Sequence, residues 1–429
     1  MNTQQNMTIP DDLVDSSDRV VADLKELAAL TADEHGAQRV AWGPVWRKAR
    51  EWFTEKVAKE LDLEVETDAA GNYWVTVPGD SDKTVLVAGH LDSVPNGGWL
   101  DGCLGTMVSL EALRRYAAQP EKPVTLKLVD WADEEGARFG RSLLGSSAAG
   151  GSLKVEEVLA LTDRDGVKQA DALRENGVEP DHMLEAHEAL KQINARAYLE
   201  LHIEQGPVLE AMDKPTGVVL GTFGVERHSI KFKGQAAHSG STPIAMRRDA
   251  FLAAAQFALE VREIAKRHST DEAGVVCTCG VVKVEPCIVT AVPGICEISI
   301  DQRSLHADVL AKMLADAKAA AKQAAADNDV EMEWNKLWTI EPRPFDPELI
   351  RMGEEAVQEI TGSAPKLPSG PLHDAAEMVP HMPTVMMFAY SSNGLSHCKE
   401  EDTPEAYIKL TVAAFQRLVE KTIAHVAGQ

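Results

Sequence analysis

The run Thr84-Val85-Leu86-Val87-Ala88 constrains this chain more than any other feature. It is rich in β-branched residues and does not alternate polar with apolar positions, the pattern of a strand buried on both faces. Residues 104–116 return to apolar residues at helical spacing, and residues 124–131 read as a second buried strand. Strand, helix and strand in this order argue for an α/β domain with a largely parallel sheet. Ligands of such sheets bind beyond the carboxyl ends of the strands. Both strands run into polar clusters there, Gly89-His90-Leu91-Asp92 and Asp133-Glu134-Glu135-Gly136.

The remaining pattern places this domain in two pieces. Residues 16–61 read as mostly helical with a break at Gly43-Pro44, and a strand follows at 73–77. Residues 151–195 are polar and helical in tone, chiefly at 163–175 and 183–193, and 198–202 is again a strand. From about Thr222 the character changes. Strands at 227–233, 275–284, 296–303 and 330–334 alternate with helices at 249–267 and 307–327. That β-α-β-β-α-β order is the order of a ferredoxin-like module. After Pro342 come a helix at 347–361, a loop, a strand at 384–389 and a final helix at 407–426. The second module is therefore an insertion. Residues 1–221 and 342–429 are expected to form one domain and residues 222–341 the other.

Composition excludes several classes. With 43 Lys and Arg against 67 Asp and Glu, the net charge is −24, the wrong sign for a phosphate-binding surface, so no nucleic-acid partner is expected. No run approaches the roughly 20 apolar residues of a membrane span. The opening MNTQQNMTIPDD has neither a basic nor an apolar leader region. Six cysteines make no disulfide framework; Cys277 and Cys279 read as thiols on one strand face, and the expected compartment is a reducing cytoplasm.

Two further clusters carry candidate chemistry. In Glu200-Leu201-His202-Ile203-Glu204-Gln205, His202 and Glu204 share a strand face, and His397 follows the strand at 384–389 in Gly394-Leu395-Ser396-His397. Each cluster alone suits an ordinary structural histidine or a solvated acidic turn. Together His90, Asp101, Glu135, His202 and His397 all fall at or just past strand ends. Mixed imidazole and carboxylate ligation suits zinc or a similar divalent ion. Five ligands are too many for one catalytic ion with an open position, and they fit two ions sharing one carboxylate. A carboxylate such as Glu134 beside that position suits a general base.

The motifs GHLDSVPNGGWLDG, DEEGARFG, ELHIEQGPVLE, GQAAHSGSTPIAMRRDA, DQR, HDAAEM and GLSH give the chain a family resemblance over nearly its whole length. It resembles the dinuclear-metal amidohydrolases related to aminoacylase and zinc carboxypeptidases, and is most similar to their N-carbamoyl-L-amino acid amidohydrolase, β-ureidopropionase and allantoate amidohydrolase group. The resemblance implies His90 and His202 as ligands of one ion, Glu135 and His397 of the other, and Asp101 as the bridge. The ions would be Zn, Mn, Co or Ni. Asp92 would orient His90. Glu134 would take a proton from the attacking water and carry it to the leaving nitrogen. His238 would act across a homodimer formed by the inserted domain, stabilising the oxyanion and helping bind substrate. Arg303 would grip a substrate carboxylate, with Gln205, Thr290 and Gly370 as further substrate contacts.

The expected reaction is hydrolysis of a ureido group to amino acid, ammonia and carbon dioxide. Allantoate-type and N-acyl amino acid hydrolysis, or an aminopeptidase-like activity, are alternatives on the same fold. Two departures from the family pattern bear on substrate. Thr290 stands where the family carries Asn, and Pro371-Leu372 where it carries Ala-Gly. No Gly-x-Ser-x-Gly elbow supports a serine nucleophile.

Overall fold

The computed structural model describes residues 7–270 and 274–429. Residues 1–6 of the opening segment lie outside the described residues. The chain divides into two compact units. One comprises the residues up to Leu220 with Phe345–Leu367 and Leu372–Gln429, the other Gly221–Pro344 with Pro368–Pro371.

The first unit is built on the fully buried strand Thr84–His90. Thr125–Trp131 and Ala195–Ile203 flank it, both parallel, and Thr384–Ala389 lies parallel to Ala195–Ile203. Antiparallel strands finish the sheet, with Tyr73–Val77 at one side and Thr216–Thr222 at the other. The unbroken apolar run has a direct cause. Val85 and Val87 pack with helices Asp11–Thr31, Cys103–Ala117 and Glu405–Gly428, whereas Leu86 and Ala88 pack with Trp42, Trp131 and Leu144 on the opposite face. Successive side chains leave a strand on opposite sides, so covering both faces requires apolar residues at every position. Parallel pairing also sends the carboxyl ends of four strands to one edge, and the polar clusters follow from there.

The second unit is a separate antiparallel sheet. Gly224–Lys233 lies between Ile295–Ser304 and Glu331–Ile340, and Val275–Thr278 and Val282–Glu285 both pair with Ile295–Ser304. Helices Ala250–His268 and Ala307–Asp327 contribute Phe257 and Met313 to a core shared with Phe232 and Ile298. The Asp249 side chain caps the first helix, accepting from the Phe251 and Leu252 N–H groups.

Three local expectations change. The strand expected at 275–284 is two strands, because Thr278 opposes Asp301 while Val282 opposes Ile298. Four residues advance against three at Gly280, the signature of a bulge. The helix expected at 163–175 begins only at Gln169, because the Asp163 carboxylate accepts the Asp165 and Val167 N–H groups and folds a turn there. The loop expected after residue 361 contains the strand Lys366–Ser369 and the helix Asp374–Met378. All six cysteines are free; Cys277 lies on a strand, and Cys279 lies beyond its end. No helix among the described residues is long and apolar enough to cross a membrane.

Candidate metal centre

His90 is the last residue of its strand and is buried. Its Nδ1 lies 3.2 Å from the Asp92 main-chain oxygen, and His202 Nδ1 lies 2.9 Å from the Ile203 oxygen. A carbonyl can only accept, so both rings carry Nδ1–H and turn Nε2 inward. The two Nε2 atoms are 3.4 Å apart. Asp101 Oδ1 is 3.0 Å from that of His202 and 3.7 Å from that of His90. Gly102 makes this possible. Its φ is +67°, and a Cβ there would stand 2.3 Å from the His90 ring.

The second group meets at the other Asp101 oxygen. His397 Nε2 is 3.3 Å from Asp101 Oδ2 and 3.3 Å from Glu135 Oε2. The two oxygens of one carboxylate thus serve two separate groups, His90–Asp101–His202 and Asp101–Glu135–His397, each close enough to hold a metal ion. The spacing fits. Zn–N bonds of about 2.0–2.1 Å set the ligand atoms of a tetrahedral ion about 3.4 Å apart. The donor chemistry fits as well, since both groups consist of imidazoles and carboxylates with no lysine or arginine among them. Burial opposes a charge on His202, but the Asp101 carboxylate outweighs it and lifts the imidazole to about 9.

Asp92 partners His90 Nδ1 through its main-chain oxygen, and its side chain has a second task. Its carboxylate oxygens accept the Glu134 and Glu135 N–H groups at 3.2 and 3.1 Å and stand 3.6 Å or more from His90 Nδ1. The nearer partner of His90 is the Asp92 main chain, because the carboxylate is occupied in fixing the Asp133–Glu135 turn. There Asp133 turns away to accept from Trp42 Nε1 at 2.7 Å, while Glu134 Oε2 comes within 3.8 Å of His90 Nε2. Burial raises the proton affinity of Glu134 well above the carboxylate range, and the charges of Asp374, Glu135, Asp92 and Asp101 add to it.

Gln205 reaches into the same place. Its amide nitrogen is 2.9 Å from Asp101 Oδ2 and 3.1 Å from His397 Nε2. Glu204 instead accepts from the Val208 and Leu209 N–H groups at the start of a short helix. The other predicted residues belong to the second unit. His238 is exposed, with Nδ1 accepting the Gly240 N–H. Thr290 accepts the Ser239 N–H through its carbonyl. Arg303 donates to Asp301 at 2.9 Å and to the Gly370 carbonyl at 3.1 Å, beside a cavity of about 520 Å³.

Several polar residues of the centre were not singled out from the sequence. His373 lies against His202 with ring centroids 4.4 Å apart, and burial together with the neighbouring His202 keeps it neutral. Glu200 accepts from the Tyr198 hydroxyl at 2.6 Å, and Tyr198 in turn accepts from Trp131. Ser396 and Glu401 stand beside Asp101. Each lay in or beside a motif that the sequence offered: His373 opens HDAAEM, Glu200 opens the cluster of His202, Ser396 precedes His397, and Glu401 follows His397 by four residues.

Residues 86–421 match the model of Peptidase family M20/M25/M40. The chain is 33% identical to an N-carbamoyl-L-amino acid amidohydrolase of Geobacillus stearothermophilus, covering 85% of this chain and 88% of the relative. It is 31% identical to an allantoate amidohydrolase of Escherichia coli, covering 88% and 91% respectively. Among solved structures it is similar to an amidase of the hydantoinase/carbamoylase family from Burkholderia multivorans, with a TM-score of 0.83, 28% identity and 99% of each chain covered. The chain belongs to this peptidase family and is an amidohydrolase of its carbamoylase and allantoate group.

Proposed function

We propose that the chain hydrolyses the ureido group of an N-carbamoyl amino acid, R–NH–CO–NH₂ plus water giving R–NH₂, ammonia and carbon dioxide. The observation that carries this reading is the division of Asp101 between two ligand groups, with Glu134 beside them. His90 and His202 would hold one divalent ion, Glu135 and His397 the other, and Asp101 both. Ions held there would supply Lewis-acid polarisation of the substrate carbonyl and a water more acidic than bulk water.

The chain's own residues do the rest. Glu134, its proton affinity raised by burial, takes the proton of the attacking water and delivers it to the departing nitrogen. Asp92 fixes the backbone that carries Glu134. Arg303, held in orientation by Asp301 and Gly370, offers a guanidinium fork to the substrate carboxylate. Gln205 and Thr290 supply further polar contacts, and His238, from the second subunit of a homodimer, supplies an oxyanion donor.

The test is ammonia release from N-carbamoyl amino acids, β-ureidopropionate, allantoate and N-acyl amino acids, with and without chelator. Chelator-sensitive turnover of an N-carbamoyl amino acid supports the reading. Amine release from N-acyl substrates alone would overturn it. An allantoate-type activity is the second reading. Thr290, a shorter side chain than the family's Asn, and Pro371-Leu372 bear on the choice between the two readings, because both alter the expected substrate contacts and leave the metal ligands intact.

A further inference from the structure

We infer that Glu401 is the positioning residue of Asp101, locking the shared carboxylate so that each oxygen faces its own ligand group. This rests on the two-ion reading above. Glu401 is buried, and one oxygen, Oε1, accepts two consecutive main-chain donors, Leu100 N–H at 3.1 Å and Asp101 N–H at 3.0 Å. The other, Oε2, lies 2.8 Å from the Ser396 hydroxyl, which is also 3.1 Å from Asp101 Oδ2. Glu401 therefore holds the Asp101 backbone directly, and the Ser396 hydroxyl, with one proton to give, stands between the two side chains and donates to the nearer Glu401 oxygen.

Three features make this a lock and not another ligand. Both Glu401 oxygens already face donors, so neither turns toward the two groups. The chain leading to Asp101 is shaped around it, since a Cβ on Gly98 would fall 2.1 Å from Glu401 Oε1. Finally, Glu401 follows His397 by four residues. One loop thus supplies a ligand of the second group and the brace of the residue that both groups share. The arrangement couples the groups: displacing Asp101 moves an oxygen in each.

The prediction separates geometry from charge. Glu401→Gln keeps an acceptor oxygen for the two N–H groups, and its amide can donate to Ser396, freeing that hydroxyl to donate to Asp101. Glu401→Ala removes both contacts. Losing an outer partner of a metal ligand typically weakens metal binding about 10–100-fold.

The experiment is calorimetric titration of Mn²⁺ or Zn²⁺ into the chelator-stripped full chain, with ion content checked by mass spectrometry. Wild type should take up two ions per chain. Glu401→Ala should bind about 10–100-fold more weakly, Glu401→Gln within about fivefold of wild type, and Ser396→Ala between them. Wild-type affinity for two ions in both alanine variants would overturn the inference and leave the two-ion reading standing. A wild type that takes up no ion would overturn that reading and the inference with it. Should Glu401→Ala fail to fold, Ser396→Ala decides: unchanged affinity rejects the lock, and weakening of severalfold or more upholds it.

Discussion

The two units treat charge in opposite ways. Around Asp101, buried carboxylates crowd together, and Glu134 and Glu135 are driven toward protonation by burial, with the charges of Asp92 and Asp101 adding to it in both. In the second unit, Asp301 already has its cations. Arg227 and Arg303 both donate to it, and they hold its carboxyl below the usual range against a burial that would raise it. The first region is electrostatically incomplete as a protein alone, and the second is complete. A crowd of buried like charges persists only where something else offsets it. The comparison separates an edge of parallel strands that calls for cations from an antiparallel sheet that pairs its own charges.

The largest expected effect tests the incomplete side. Glu134→Gln should cut kcat by about 10²–10⁴-fold, the usual worth of a general base, while metal content stays at the wild-type level. Activity within tenfold of wild type would remove Glu134 from the mechanism.

Metal uptake supplies the next. His202, held at about 9, must shed its proton to bind an ion. Below that pH the affinity for the ion of the His90–Asp101–His202 group should fall by about tenfold or more per pH unit. A flat calorimetric profile between pH 6 and pH 8 would break the comparison.

The complete side should respond more mildly. Arg303→Lys keeps the charge and loses the fork, so KM should rise about tenfold with ion stoichiometry unchanged. Lost ions in this variant would mean that the two regions are not separable. The smallest effect comes from glycine. Gly370→Ala meets nothing within 4 Å and should shift stability by less than about 0.5 kcal/mol. Gly102→Ala, with its positive φ and the His90 ring in the way, should cost about 1–3 kcal/mol in thermal or denaturant unfolding.

The same division explains what could be read from the sequence. Thr84–His90 was legible because burial on both faces leaves a compositional trace, and a strand end places the next polar residue without ambiguity. His90, Glu135 and His202 follow from that rule. His397 lies eight residues beyond its strand, and its positive φ of 57° leaves no such trace. Glu200, His373 and Glu401 become partners of the centre only through folding, because their contacts join segments more than a hundred residues apart. In the second unit no periodicity marks Arg303 or His238. There the family resemblance was the only guide, and the bulge at Gly280 passed unseen because one extra residue leaves strand composition unchanged.

Ligands from four separate strand ends also set an order of events during synthesis. His90, Asp101, Glu135 and His202 leave the ribosome early, and the whole segment Gly221–Pro344 must then be made before His397 and Glu401 appear. A nascent chain thus carries four of the five candidate ligands and lacks His397. Because Thr384–Ala389 and Glu405–Gly428 also complete the sheet and the core around it, the site is finished only at the end of translation.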